Sequence, residues 1–166
     1  MNSCHTGVRL TFRREQGMNI SPFRRILVGA NGTSGSERAI EVAISLAGSL
    51  HAQIIVLGVI APLSPETQAE GVGLEEASNQ RVQLEEQARE AAAAAHDLGI
   101  DVVTEIVEGE PENEIERKAE EASVDLIVVG HRDIGRVRRW LEGSTSETLI
   151  RRSQISVLVV HDDHPL

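Results

Sequence analysis

Aromatic side chains are almost missing from this chain. Tyrosine is absent, and Phe12, Phe23 and Trp140 are the only Phe and Trp residues. The core therefore has to be assembled from Val, Ile, Leu and Ala. Cys4 is the only cysteine, which excludes an intrachain disulfide and fits a reducing compartment. No run of about 18 apolar residues occurs, so no membrane-spanning helix is expected. The opening segment holds Arg9, Arg13 and Arg14 but no apolar stretch of the kind a secretory signal needs. With no hydrophobic periodicity before Met18, residues 1–20 read as a disordered N-terminal extension, and 21–166 as one cytoplasmic domain. Lys118 is the only lysine, and no G-x-x-x-x-G-K-[ST] run exists, which excludes a P-loop ATPase. A G-x-G-x-x-G fingerprint after the first apolar run is missing, as is a G-x-S-x-G elbow.

What is present is acid. The 166 residues carry a formal net charge of −10, which argues against nucleic acid or an anionic membrane as partner. The charge is uneven. From Ser64 to Glu121 there are 17 acidic and 4 basic residues, whereas from His131 to Arg152 there are 6 Arg against 3 acids. Electrostatics alone would place an anionic ligand by that late segment.

Four short apolar runs punctuate the chain, 26–30, 54–60, 125–130 and 157–160, and Val102, Val103, Ile106 and Val107 mark a further strand between the second and third of them. Continuous runs of β-branched residues mark strands buried on both faces. Between them lie helical patterns. Ala39, Ile40, Ala43, Ile44 and Ala47 form an apolar stripe in a helix capped by Ser34 or Ser36 and ending about Leu50. Pro62, Pro65, Gly71 and Gly73 mark a mobile loop from Ala61 to about Leu74. A long helix follows from about Glu75 to Leu98 and stops at Gly99. Pro111 opens a helix ending near Ala122, with acids in its first turn. A polar, Arg-rich loop from His131 to Glu142 precedes a helix from Gly143-Ser144 to about Arg152. Strict alternation with right-handed crossovers predicts an α/β domain: an open five-stranded parallel sheet with helices on both faces, Rossmann-like.

Ligands of such sheets bind outside the carboxyl ends of the strands. After the first strand comes Asn31-Gly32-Thr33; after the fourth come Gly130 and the Arg-rich loop, closed by Gly143-Ser144-Thr145-Ser146. A helix N-terminus with unpaired N–H groups suits phosphate, and a glycine there lets the ligand approach the backbone. Ser144 to Glu147 also reads as a capping box, compatible with that use. His131 follows a strand end and is either a ligand contact or a plain loop residue. His161-Asp162-Asp163-His164 reads as a solvated tail rather than a metal site.

These segments carry a resemblance. Gly130-x2-Asp133-x9-Gly143-Ser144 resembles the G-x2-G-x9-G-[ST] signature of the universal stress protein family, with Asp133 at the second glycine. Ile26 to Thr33 is similar to the family's first strand and its Asp-Gly-Ser ending, with Asn31 where Asp is common. Asp125 to Gly130 and Val157 to Val160 resemble further family segments, so the similarity runs from about Arg24 to Val160. It implies a nucleotide-binding domain for ATP, or for AMP or a cyclic nucleotide, with Mg²⁺ accompanying ATP. The adenine end would lie by Gly29, Ala30, Asn31 and the backbone of Val59. Ribose and phosphates would lie by Val129, Gly130, Gly143, Ser144, Thr145 and Ser146. Asp133 would bring a carboxylate near phosphate, a repulsion of roughly 1–4 kcal/mol, which Arg132, Arg136, Arg138 and Arg139 could offset if they are more than a solvated basic face.

The expected role is a regulatory nucleotide-binding module in stress response. The alternatives are a nucleotide-free interaction protein and a slow ATPase or autophosphorylating protein using Ser144 or Ser146; no general base is poised beside a nucleophile. With strand order 3-2-1-4-5, the last strand is an edge. Val157, Leu158, Val159 and Val160 form a bare apolar edge unless the long helix shields it, so a homodimer through this strand is expected, as the resemblance also implies.

Overall fold

The computed structural model describes residues 22–62, 73–131 and 145–161; of 73–77 only the backbone is described. In chain order the elements are β1 (Arg25–Ala30), α1 (Ser34–Leu50), β2 (Gln53–Ile60), α2 (Gly73–Asp97), β3 (Val102–Glu108), α3 (Pro111–Glu121), β4 (Leu126–His131), α4 (Thr145–Arg152) and β5 (Ser156–His161). The five strands form one sheet in the order β3-β2-β1-β4-β5, and every pairing is parallel. The expected α/β architecture and strand order are both observed.

Alternation along each strand divides the core in two. Ile26 and Val28 of β1 face one way with Ile54, Val56 and Val128, and they pack under Ala39, Ile40, Ala43 and Ile44 of α1 and Leu84 and Ala91 of α2. Leu27 faces the other way with Ile55, Leu57, Val59, Ile127 and Val129, under Ile115 and Ala119 of α3 and Leu149 of α4. Both faces of the central strands are thus dry, which explains why their sequences are uninterrupted apolar runs rather than alternating ones. At the amino edge of the sheet, Asp125 accepts hydrogen bonds from the backbone N–H groups of Arg24 (2.8 Å) and Arg25 (2.9 Å) and so ties β1 to the start of β4.

Several local expectations need correction. The cap of α1 is Thr33, whose side chain accepts from the N–H of Ser36 while Ser36 bonds back to the Thr33 backbone. Three adjacent hydroxyls compete for that position, and Thr33 wins because it is the last residue still in extended conformation, at φ −105° and ψ 161°. Helix α2 begins at Gly73, earlier than Glu75. His131 is the last residue of β4 rather than the first of a loop, and His161 closes β5 rather than opening a tail. The two are register partners, and their rings meet edge-on at 4.9 Å between centroids. Most of the expected loop from 61 to 74, the Arg-rich segment and the residues after His161 lie outside the described residues.

β3 and β5 are the edges of the sheet. The long helix α2 packs on β2 and β3, so it does not shield β5. Val157 and Val159 pack partly against the α3/α4 face and Leu158 against the α1/α2 face, while only Val160 of this strand is buried. Among the described residues, no helix is long and apolar enough to cross a membrane.

Candidate functional site

The carboxyl ends of β1, β2 and β4 open into a cavity of about 560 Å³, part of it continuous with solvent. Gly29 and Ala30 of β1, Val59 of β2 and Val129 and Gly130 of β4 form its floor; Asn31 and the first helical residues Thr145 and Ser146 stand around it. These eight all belong to the set expected from the sequence. Arg132, Asp133, Gly143 and Ser144 lie outside the described residues. His131 stands beside the cavity without lining it: its ring is turned to His161 and its carbonyl oxygen lies close to Gly35.

Five further residues complete the wall: Thr33, Gly35 and Ser36 at the start of α1, and Pro111 and Ile115 at the start of α3. Three helix N-termini therefore converge on one opening. Each presents N–H groups without intrahelical partners and the positive end of its dipole, so together they favour an anion. The opposite side is apolar. Val59, Ile115 and Val129 belong to one hydrophobic cluster, and Gly29 lies between them with no side chain. A Cβ on Gly29 would sit 3.2 Å from Ile115 Cδ1 and 3.6 Å from Val129 Cγ1. The missing methyl is what leaves a slot there.

Gly130 has a different reason to be glycine. A Cβ at that position would run into the carbonyl group of Gly35 and lie 3.0 Å from the Ser36 nitrogen. Its bareness seats the start of α1 directly on β4. The signature glycine is thus first a packing residue.

The β1–α1 turn is braced from across the fold. Gln87 of α2, 6% exposed, accepts at Oε1 from the N–H of Gly32 (3.2 Å) and from the hydroxyl of Ser36 (3.0 Å). Ser36 shares that proton with the Thr33 carbonyl at 2.8 Å and accepts from the Thr33 N–H at 3.2 Å. Gly32 has φ +76°, the left-handed region that costs glycine nothing, and a Cβ there would meet Gln83 at 3.2 Å. The residues missed from sequence were detectable in part. The rule about strand carboxyl ends applies equally to β3 and points to Pro111, and the N-cap of α1 is itself a strand exit. Gln87 carried no local signal, because its partners lie more than 50 residues away.

A doubly wound sheet with a cavity at the carboxyl ends of its central strands, ringed by helix N-termini, has the arrangement in which open α/β sheets take ligands at their topological switch point. The Universal stress protein family matches residues 22–161, and the chain belongs to that family. A universal stress protein of Methanocaldococcus jannaschii is 30% identical over 140 residues, covering 83% of this chain and 82% of the relative. Among solved structures, that of a universal stress protein in complex with cAMP superposes with a TM-score of 0.68 at 29% identity, covering 84% of this chain and 98% of the other. The universal stress protein UspA of Lactobacillus plantarum shares the fold with a TM-score of 0.69 at 22% identity, covering 83% of this chain and 97% of the other.

Proposed function

We propose that this chain is an adenine-nucleotide-binding module with a regulatory role in stress response, its ligand ATP, AMP or a cyclic nucleotide. The observation that carries the reading is the two-sided cavity: an apolar slot made by Gly29, Val59, Ile115 and Val129 suits a flat base, and the N-termini at Ser36, Pro111 and Thr145 suit phosphate. The relative with cAMP bound supports a nucleotide as the ligand class. Phosphates would reach from Gly130, Thr145 and Ser146 toward Arg132, Asp133, Gly143 and Ser144. No carboxylate stands among the described lining residues, so Mg²⁺ would arrive on the phosphates, held by them and by water. The domain is 21–166, with 1–20 as its extension, and its setting is cytoplasmic.

Thermal unfolding of the full chain with ATP, AMP and cAMP tests this. A ligand that binds only the folded state at a hundredfold excess over Kd stabilises by about 2.7 kcal/mol, a rise of several degrees. No rise with any of the three at millimolar concentration overturns the reading. A slow single-turnover assay with ATP distinguishes a binding module from an enzyme.

The working unit is a homodimer paired through β5, because that strand is an edge with Val157, Leu158 and Val159 only partly covered. Arg at both Val157 and Val159 should give monomers, since each would place an unpaired charge in the interface. Light scattering behind size exclusion reads the result: a monomeric parent chain, or a dimeric double variant, overturns this pairing.

A further inference from the structure

Asn31 follows the last residue of β1 and lines the cavity. Its side-chain oxygen accepts twice from Thr33, from the backbone N–H at 3.2 Å and from the hydroxyl at 2.6 Å. A backbone N–H can only donate, so the atom facing it is the amide oxygen, and the orientation of the amide is determined. The Thr33 hydroxyl oxygen in turn accepts from the N–H of Ser36 at 3.4 Å, which directs its own proton to Asn31. Both lone pairs of the Asn31 oxygen are thereby used within the turn. What remains is the NH2 group, and no described residue takes either of its protons. Asn31 therefore offers a ligand donors and no acceptor.

Its place decides which part of a ligand it meets. Ala30 is in register with Gly58, so the next residue, Asn31, lies level with Val59, and both line the cavity beside the apolar slot. Thr145 and Ser146 belong to α4, which packs on β4 and β5, across the cavity. We infer that Asn31 is a specificity-determining residue that donates to the edge of the bound base, so that the site accepts a 6-oxopurine nucleotide alongside a 6-aminopurine one. This rests on the nucleotide reading above. A 6-amino group is itself a donor and gains nothing from the Asn31 amide, which can reach only a ring nitrogen of adenine. A 6-carbonyl is an acceptor and pairs with it directly. Asp at this position would keep one oxygen for the Thr33 contacts and turn the other toward the ligand as an acceptor, inverting the preference.

The test compares ATP with ITP by isothermal titration on the full chain and on Asn31→Asp. One mispaired hydrogen bond at a partly solvated edge is a change of about fivefold or more in affinity. The parent chain should bind ITP less than about fivefold more weakly than ATP, and Asn31→Asp should raise the ITP-to-ATP ratio of Kd by about fivefold or more. A parent chain that rejects ITP by that factor overturns the inference and leaves nucleotide binding intact. So does a ratio that Asn31→Asp does not move. If the variant does not fold, the parent comparison decides alone. Failure of the parent chain to bind either nucleotide overturns the nucleotide reading and this inference with it.

Discussion

On one face of the sheet, Ile26, Val28, Ile54 and Val56 are covered by helices of 17 and 25 residues. On the other, Leu27, Ile55, Leu57 and Val59 are covered by helices of 11 and 8 residues. The residue types are the same, and the strands are equally dry at their centres. The difference is in reach. At about 1.5 Å per residue, the second pair spans far less of the sheet, and its packing ends in the cavity between Val59, Val129 and Ile115. The face under α1 and α2 carries the larger share of the core and holds the β1–α1 turn in place through Gln87. The face under α3 and α4 gives up packing at its carboxyl end, and the apolar slot lies there. The larger share of the packing and the apolar slot thus lie on opposite faces, while the start of α1 reaches the cavity from the covered one.

The largest expected effect follows from breaking the covered face. Leu84 of α2 is fully buried, and Leu84→Ala should cost about 2–5 kcal/mol, read as a fall in Tm, with nucleotide affinity unchanged at temperatures where the variant is folded. A loss of affinity as large as that caused by a change in the slot would mean the faces are not separable. Gly130 lies where the faces meet, since it seats the N-terminus of α1 on β4. Gly130→Ala should cost about 1–3 kcal/mol by overpacking and also weaken binding, because the start of α1 must shift from the cavity; a variant as stable as the parent would contradict the contact with Gly35. The smallest effect on stability is expected at Gly29. Gly29→Ala places a methyl into the slot against Ile115, so affinity should fall about tenfold for a loss of roughly 1 kcal/mol or less in stability. Titration and thermal melts on the same samples check both halves. An unchanged affinity would show that the base does not enter between Ile115 and Val129.

The sheet was legible in the amino-acid sequence because its signals are local. A strand dry on both faces has to be an unbroken apolar run, and 26–30, 54–60 and 125–130 are such runs. Pro111 at the first turn of α3 marks a helix start by its fixed φ and missing N–H, and it opens that helix as expected. The resemblance carried by Gly130 and Gly143-Ser144 pointed to the carboxyl ends of the strands, where the cavity is. Edges of elements were less legible. Thr33, Ser34 and Ser36 are chemically equivalent caps, and only the backbone path into α1 chooses among them.

Composition and periodicity alone determined that this chain is an α/β protein with five parallel strands, the central ones buried, because burial dictates side-chain chemistry residue by residue. Tertiary structure alone decided which side chains share the cavity and which way they point. Ile115 reaches the slot because α3 packs over β2 and against α4, and the Asn31 amide is turned donor-outward because Thr33 folds back on it. Gln87, in a long polar-looking helix, is buried because α2 lies against the β1–α1 turn. Hydrogen-bond direction and contacts between residues distant in sequence depend on how elements meet, and no spacing along the chain encodes that meeting.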